Sequence, residues 1–299
     1  MTDPDPLFPG FQTGRFATNG AEIYYRAGGE GPPLLMLHGF PQTGAMWARV
    51  ALALAARFRV VVPDLRGYGR STGPAGAEHY AKREMAKDFI ALMSHLGAER
   101  FRLAGHDRGG RVSYRMALDA PERVARLAVL DILPTAEYWR SIGARDFALG
   151  IYHWTFLAQP YPLPETLIGA APEFFIDEKL KSWAGGSLDA FAPAALEEYR
   201  DNARDPVRLR AMCDDYRAGA GIDVEHDEAD QAAGRKIAAA LHVIWGGRGI
   251  AEKAQSPLPV WKRWAEDVSG EPLDSGHFPP EEQPEATTRA LMAFFGDAA

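Results

Sequence analysis

The sequence predicts an α/β protein, a largely parallel sheet covered by helices on both faces and interrupted by a helical insertion. Three observations predict it. Strand-sized apolar runs alternate with stretches of helical period over the first 133 residues and again in the last third. The stretches LHGF at 37–40 and GHDRGG at 105–110 are glycine turns that directly follow such runs. Between 134 and 216 the alternation stops, and short amphipathic segments rich in aromatic residues and proline replace it.

The elements follow in order. FATNGAEIYYR carries Asn19-Gly20 between β-prone residues and reads as a hairpin, after which PPLLMLHGF reads as a buried strand entering a turn. A helix (MWARVALALAARF), a strand (RVVVPDLRGYG), a helix (REMAKDFIALMSHLG), a strand (FRLAG) and a helix (GGRVSYRMALDAP) come next. ARLAVLDIL gives a strand ending at Asp131. The last third adds a strand (ALHVIWGG) and two helices (PLPVWKRWAEDV and PEATTRALMAFF). The expected division is a core of 1–133 plus 217–299 and a helical cap of 134–216. Ligands of open parallel sheets bind beyond the carboxyl ends of the strands, which is where Asp107, Asp131 and the insertion should meet.

Composition bounds the function. With 299 residues and 46% hydrophobic content, the chain buries a sizeable core without staples, and its one cysteine, Cys213, has no internal disulfide partner. The start MTDPDPLFPGF has neither a basic nor an apolar leader region, so a cytoplasmic location is expected. The longest apolar runs are far too short to cross a bilayer, and no membrane association is expected. A net charge of −7 without any Lys/Arg-rich block argues against nucleic acid as a partner.

LHGF, GHDRGG and DSGHF at 274–278 together resemble the α/β-hydrolase family. There the nucleophile stands on a tight strand-to-helix turn, and the resemblance places Asp107 at that position with Gly105 and Gly109 as the small flanking residues. It further implies His277 as the catalytic histidine, and the backbone amides of Phe40 and Arg108 as an oxyanion hole. Most members carry the triad acid after the strand that here reads HVIWGGRGI, where the nearest carboxylate, Glu252, stands several residues late. Asp131 occupies the alternative position used in the dehalogenase branch, so the implied triad is Asp107, Asp131 and His277. His38 and His106 are expected to be structural.

An aspartate nucleophile selects its reaction. Attack on an ester carbonyl would form a reactive anhydride and expel a poor alkoxide, whereas backside attack on saturated carbon gives an alkyl ester of Asp107. Water activated by His277 would then open that ester, with the oxyanion hole acting on the enzyme's own carbonyl and Asp131 orienting the imidazole. Alkyl halides and epoxides remain as substrates. Arg108 and Arg111, one and four residues past the nucleophile, can both face the pocket, and two guanidinium forks there fit a carboxylate bound beside the reacting carbon. The same charges and the helix N-terminus should keep Asp107 ionised.

HDRGGR resembles the haloacetate dehalogenases, in particular the fluoroacetate dehalogenases. Haloalkane dehalogenases and epoxide hydrolases typically carry Trp where this chain has Arg108. The resemblance implies a halide pocket of His153, Trp154 and Tyr216, with Tyr152, Tyr161 and Tyr199 as other candidates for the phenol and Trp183 near the entrance. Three N–H or O–H donors would stabilise a departing fluoride, a poor leaving group. The expected activity is hydrolysis of haloacetates to glycolate and halide, without cofactor or metal, in a homodimer. An epoxide hydrolase, or a non-catalytic receptor or scaffold on the same fold, is the alternative.

Overall fold

The computed structural model describes residues 5–296. Eight strands form one sheet: β1 (Gln12–Thr18), β2 (Ala21–Gly28), β3 (Pro33–Leu37), β4 (Arg59–Pro63), β5 (Phe101–His106), β6 (Val124–Leu130), β7 (Ala240–Gly246) and β8 (Val268–Leu273). Their order is β1-β2-β4-β3-β5-β6-β7-β8, with β2 antiparallel to both neighbours and every later pair parallel. The expected hairpin is present: Asn19 and Gly20 both take positive φ, 42° and 76°, the pair of left-handed residues a tight two-residue turn needs. Leu34–Leu37, Val60–Val62 and Leu127–Leu130 are wholly buried, as central parallel strands covered on both faces should be.

Helices α1 (Ala48–Leu54), α2 (Lys82–His95) and α3 (Asp107–Asp119) connect the early strands. The segment between β6 and β7 contains only helices: α4 (Thr135–Ser141), α5 (Arg145–Gly150), α6 (Tyr152–Leu157), α7 (Leu163–Gly169), α8 (Pro172–Trp183), α9 (Pro193–Arg204), α10 (Pro206–Ala220) and α11 (Ile222–Ala232). Prolines start α8, α9 and α10, where a missing N–H costs nothing, and Asp205 caps α10 through the Val207 amide at 2.8 Å. The boundary expected at 216/217 falls inside α10. The helical run continues to Ala232, because α11 folds back on the core, where Asp227 accepts from the Ala136 amide (3.0 Å) and the Tyr114 hydroxyl (2.8 Å).

The chain closes with α12 (Ile250–Ala254), α13 (Pro257–Trp264), β8, α14 (Pro279–Glu282) and α15 (Pro284–Gly296). The helix expected to run through WAEDV ends at Trp264, and VSGEPL forms an unforeseen parallel edge strand against β7. Its half-exposed residues, with a glycine and a proline, carry no apolar alternation, which an edge strand can forgo.

Candidate active site

β5 delivers Asp107 at the sheet's carboxyl edge with φ of 45°, a left-handed conformation costing on the order of 1 kcal/mol for a residue with a Cβ. The turn is possible because its neighbours are glycines. A Cβ at Gly105 would strike Ser113 and the Gly109 backbone, one at Gly109 would strike the Leu37–His38 backbone, and one at Gly39 would strike Asp107 itself. The tight approach brings the Phe40 amide to 2.8 Å from Asp107 Oδ1. Arg108, second in α3, has one of the first-turn amides that no intrahelical carbonyl can accept.

Asp131 follows β6 directly, also at positive φ (47°), and is fully buried. It accepts from the Gly246 amide (3.1 Å) and the Ile250 amide (3.0 Å), and its Oδ2 lies 2.5 Å from His277 Nδ1. The end of β7 therefore lacks the acid but holds it, and a Cβ at Gly249 would displace that carboxylate. His277 Nε2 is 3.8 Å from Asp107 Oδ2. Burial disfavours the His277 cation, yet the bond to Asp131 and its charge outweigh this and raise the pKa above 6.5. Burial likewise pushes the Asp107 carboxyl up, but His277, His106, Arg111 and Arg108 together bring it below the usual range. His38 and His106 both bond to backbone: His38 Nε2 accepts from the Leu65 amide (2.8 Å), and His106 Nε2 contacts the His277 carbonyl oxygen at 2.7 Å.

The two arginines differ. Arg108 donates through Nε and Nη2 to Asp215 on α10 at 3.0 and 2.6 Å, and Asp215 also takes Lys82 and the Tyr68 hydroxyl. Burial alone would raise the Asp215 carboxyl, but Arg108 and Lys82 hold it far below the carboxylate range. The Arg108 fork expected for a substrate is thus spent on Asp215, leaving the buried Nη1 without a partner. Arg111 is 1% exposed and no carboxylate of the described residues pairs with it. Its Nη1 donates to the Leu133 carbonyl (3.0 Å) and the Thr135 hydroxyl (3.2 Å), its Nε is unpartnered, and its guanidinium lies 4.7 and 4.5 Å from the Tyr138 and Trp154 ring centres.

His153, Trp154 and Tyr216 are buried and gather around Phe40 and Arg108, the residues on either side of the Asp107 carboxylate. The His153 ring lies 5.6 Å from Tyr216, 4.6 Å from Trp183 and 6.3 Å from Phe40, Tyr216 lies 6.0 Å from Trp154, and Arg108 sits 4.3 Å from the Tyr216 ring. Burial, then Lys179, keeps His153 neutral, and burial, then Asp107, keeps the Tyr216 phenol protonated. Of the other tyrosines, Tyr161 is 57% exposed, Tyr152 is half-exposed with its ring 6.4 Å from His153, and Tyr199 bonds Glu281. Trp183 sits against His277 at 5.5 Å, and its carbonyl accepts from the His277 amide at 2.9 Å. Sequence reasoning missed Asp215, Thr135 and Tyr138. Asp215 adjoins Tyr216 in CDDYRAG, and an acid beside an expected pocket residue was the available signal.

An aspartate on a glycine-flanked elbow, with an acid-supported histidine, beyond the edge of a parallel sheet is the arrangement of a nucleophilic hydrolase. Residues 32–208 match the α/β hydrolase fold family, and the chain belongs to that family. It is 44% identical over 98% of its length to a fluoroacetate dehalogenase from Burkholderia sp, of which 96% is covered. It is also 32% identical to a soluble epoxide hydrolase from Corynebacterium sp. (strain C12), covering 93% of this chain and 94% of that one. A solved candidate epoxide hydrolase from Pseudomonas aeruginosa superposes with a TM-score of 0.92 at 45% identity, over 98% of this chain and 97% of the other.

Proposed function

We propose that the protein is a haloacetate dehalogenase that converts fluoroacetate or chloroacetate to glycolate and halide through an ester of Asp107. The observation that carries this reading is Arg111, a buried cation with no acidic partner among the described residues, one helical turn beyond the nucleophile. An unpaired guanidinium in such a place is costly unless an anion completes it. A haloacetate carboxylate would meet Arg111 and the free Arg108 Nη1, a clamp that uses one nitrogen of Arg108 rather than its whole fork.

The mechanism follows from the distances. Asp107 Oδ1 is held by the Phe40 amide, so Oδ2 attacks the carbon bearing the halogen. The new C–O bond forms as the carbon–halogen bond breaks, and halide leaves toward His153, Trp154 and Tyr216, with the helical segment acting as a cap. Water then gives a proton to His277 Nε2 and adds to the Asp107 carbonyl carbon. The oxyanion on Oδ1 stays beside the Phe40 amide; its collapse expels the glycolate oxygen, which takes the proton back from His277, and the Asp107 acid left behind loses its own proton to solvent, restoring carboxylate and neutral imidazole. Asp131 stabilises the imidazolium.

Epoxide hydrolysis is the second reading, favoured by the relatives of that description and by Tyr138 and Tyr216, two protonated phenols that could serve an opening ring. Arg111 counts against it, since a neutral epoxide brings no carboxylate within ion-pair distance of that guanidinium. Incubation with fluoroacetate, chloroacetate and styrene oxide separates them: free halide without diol is expected, and diol without halide would overturn the proposal.

A further inference from the structure

A second unpaired cation lies outside this constellation. Lys179 on α8 is 5% exposed, and among the described residues no carboxylate comes within ion-pair distance of it. Glu178, its neighbour in sequence, pairs instead with Lys181 at 3.1 Å. The Lys179 ammonium lies 3.8 Å from the centre of the Tyr152 ring and 5.6 Å from that of Trp183. Aromatic faces stabilise a cation without neutralising it.

Lys179 lines a cavity of about 230 Å³ with Tyr152, Ser182, Trp183, Ile250 and Lys253. Two of these residues touch the catalytic groups from the other side, because the Trp183 ring packs on His153 and His277 and the Ile250 amide bonds Asp131. At its outer end the cavity meets Leu149, which is 69% exposed. Against Lys179 and Lys253 the lining has one acid, Asp146, so the walls carry net positive charge. Burial lowers the Lys179 pKa to about 8, which leaves it mostly charged at neutral pH.

We propose that this cavity is the approach to Asp107 and that Lys179 is an anion-docking site within it, receiving a small carboxylate before Arg108 and Arg111 take it. The proposal rests on the haloacid reading above. It adds a separate station whose work is capture, and a focused positive field in a low-dielectric cleft raises the rate of anion arrival.

The test compares the wild type with Lys179→Met and Lys179→Arg, using halide release from chloroacetate at several ionic strengths. Lys179→Met should lose about five- to twentyfold in kcat/KM and less than twofold in kcat, with a flattened salt dependence, while Lys179→Arg keeps most of both. A Lys179→Met enzyme with kcat/KM within about twofold of wild type and unchanged salt dependence would overturn the docking site. A wild type that releases no halide would instead sink the haloacid reading. Labelling with trinitrobenzenesulfonate answers independently of turnover: acetate should protect Lys179 and not Lys181, and equal labelling of Lys179 with and without acetate contradicts the proposal.

Discussion

The catalytic edge of the sheet and the helical wall above it are built by different means. Asp107, Asp131 and His277 are held by backbone: positive φ at both aspartates, amides of Phe40, Gly246 and Ile250 on their oxygens, and the Trp183 carbonyl on the His277 amide. His153, Trp154 and Tyr216 are held by ring packing, and the arginines between the two regions are held unequally. A site fixed by backbone tolerates little positional error, whereas a pocket fixed by packed rings takes its shape from every neighbour.

The sharpest contrast is between the two arginines. Asp215→Asn should cost about 3–5 kcal/mol in chemical denaturation, because it leaves Arg108 buried opposite a neutral amide and Lys82 with Asp223 alone. Arg111→Met should behave in the opposite way. Its stability should stay within about 1 kcal/mol of wild type or rise, since an unpaired buried cation is removed, while kcat/KM for haloacetate falls by about 2–4 kcal/mol, at least thirtyfold. A large loss of stability in Arg111→Met would erase the distinction.

Smaller effects probe the wall. His153→Phe keeps the stack on Phe40 but removes the N–H donor, and should slow fluoride release about tenfold more than chloride release. An equal effect on both would make the ring a packing element only. The pH dependence separates the two chemical steps. His277 must be neutral to accept the water proton, and of the carboxylates that raise its pKa Asp131 stays charged in the ester intermediate while Asp107 does not, so ester hydrolysis should slow about tenfold per pH unit below the His277 pKa. Alkylation should persist there, because the Asp107 pKa is lowered and the carboxylate remains ionised. Rapid mixing at acidic pH should therefore show a burst of halide followed by slow turnover.

The same contrast explains what was legible in the sequence. Asp107, Gly105, Gly109, Phe40 and His277 stand in short motifs because a tight turn can be written in consecutive residues. Asp131 was found by its place at the end of a strand, although the amides that hold it come from more than a hundred positions later. Asp215 was not found, since its partnership with Arg108 spans 107 residues and depends on how α10 lies over α3. Tyr138 was missed for the same reason, for its stack on Trp154 joins α4 to α6. Strand β8 escaped because an edge strand with both faces half exposed leaves no apolar period to read.

The covalent route is the central claim, and intact-mass analysis of His277→Asn after mixing with chloroacetate tests it most directly. The account predicts about one halide released per chain and a stable ester mapping to the peptide that contains Asp107. Halide release in that amount with Asp107 unmodified would contradict it.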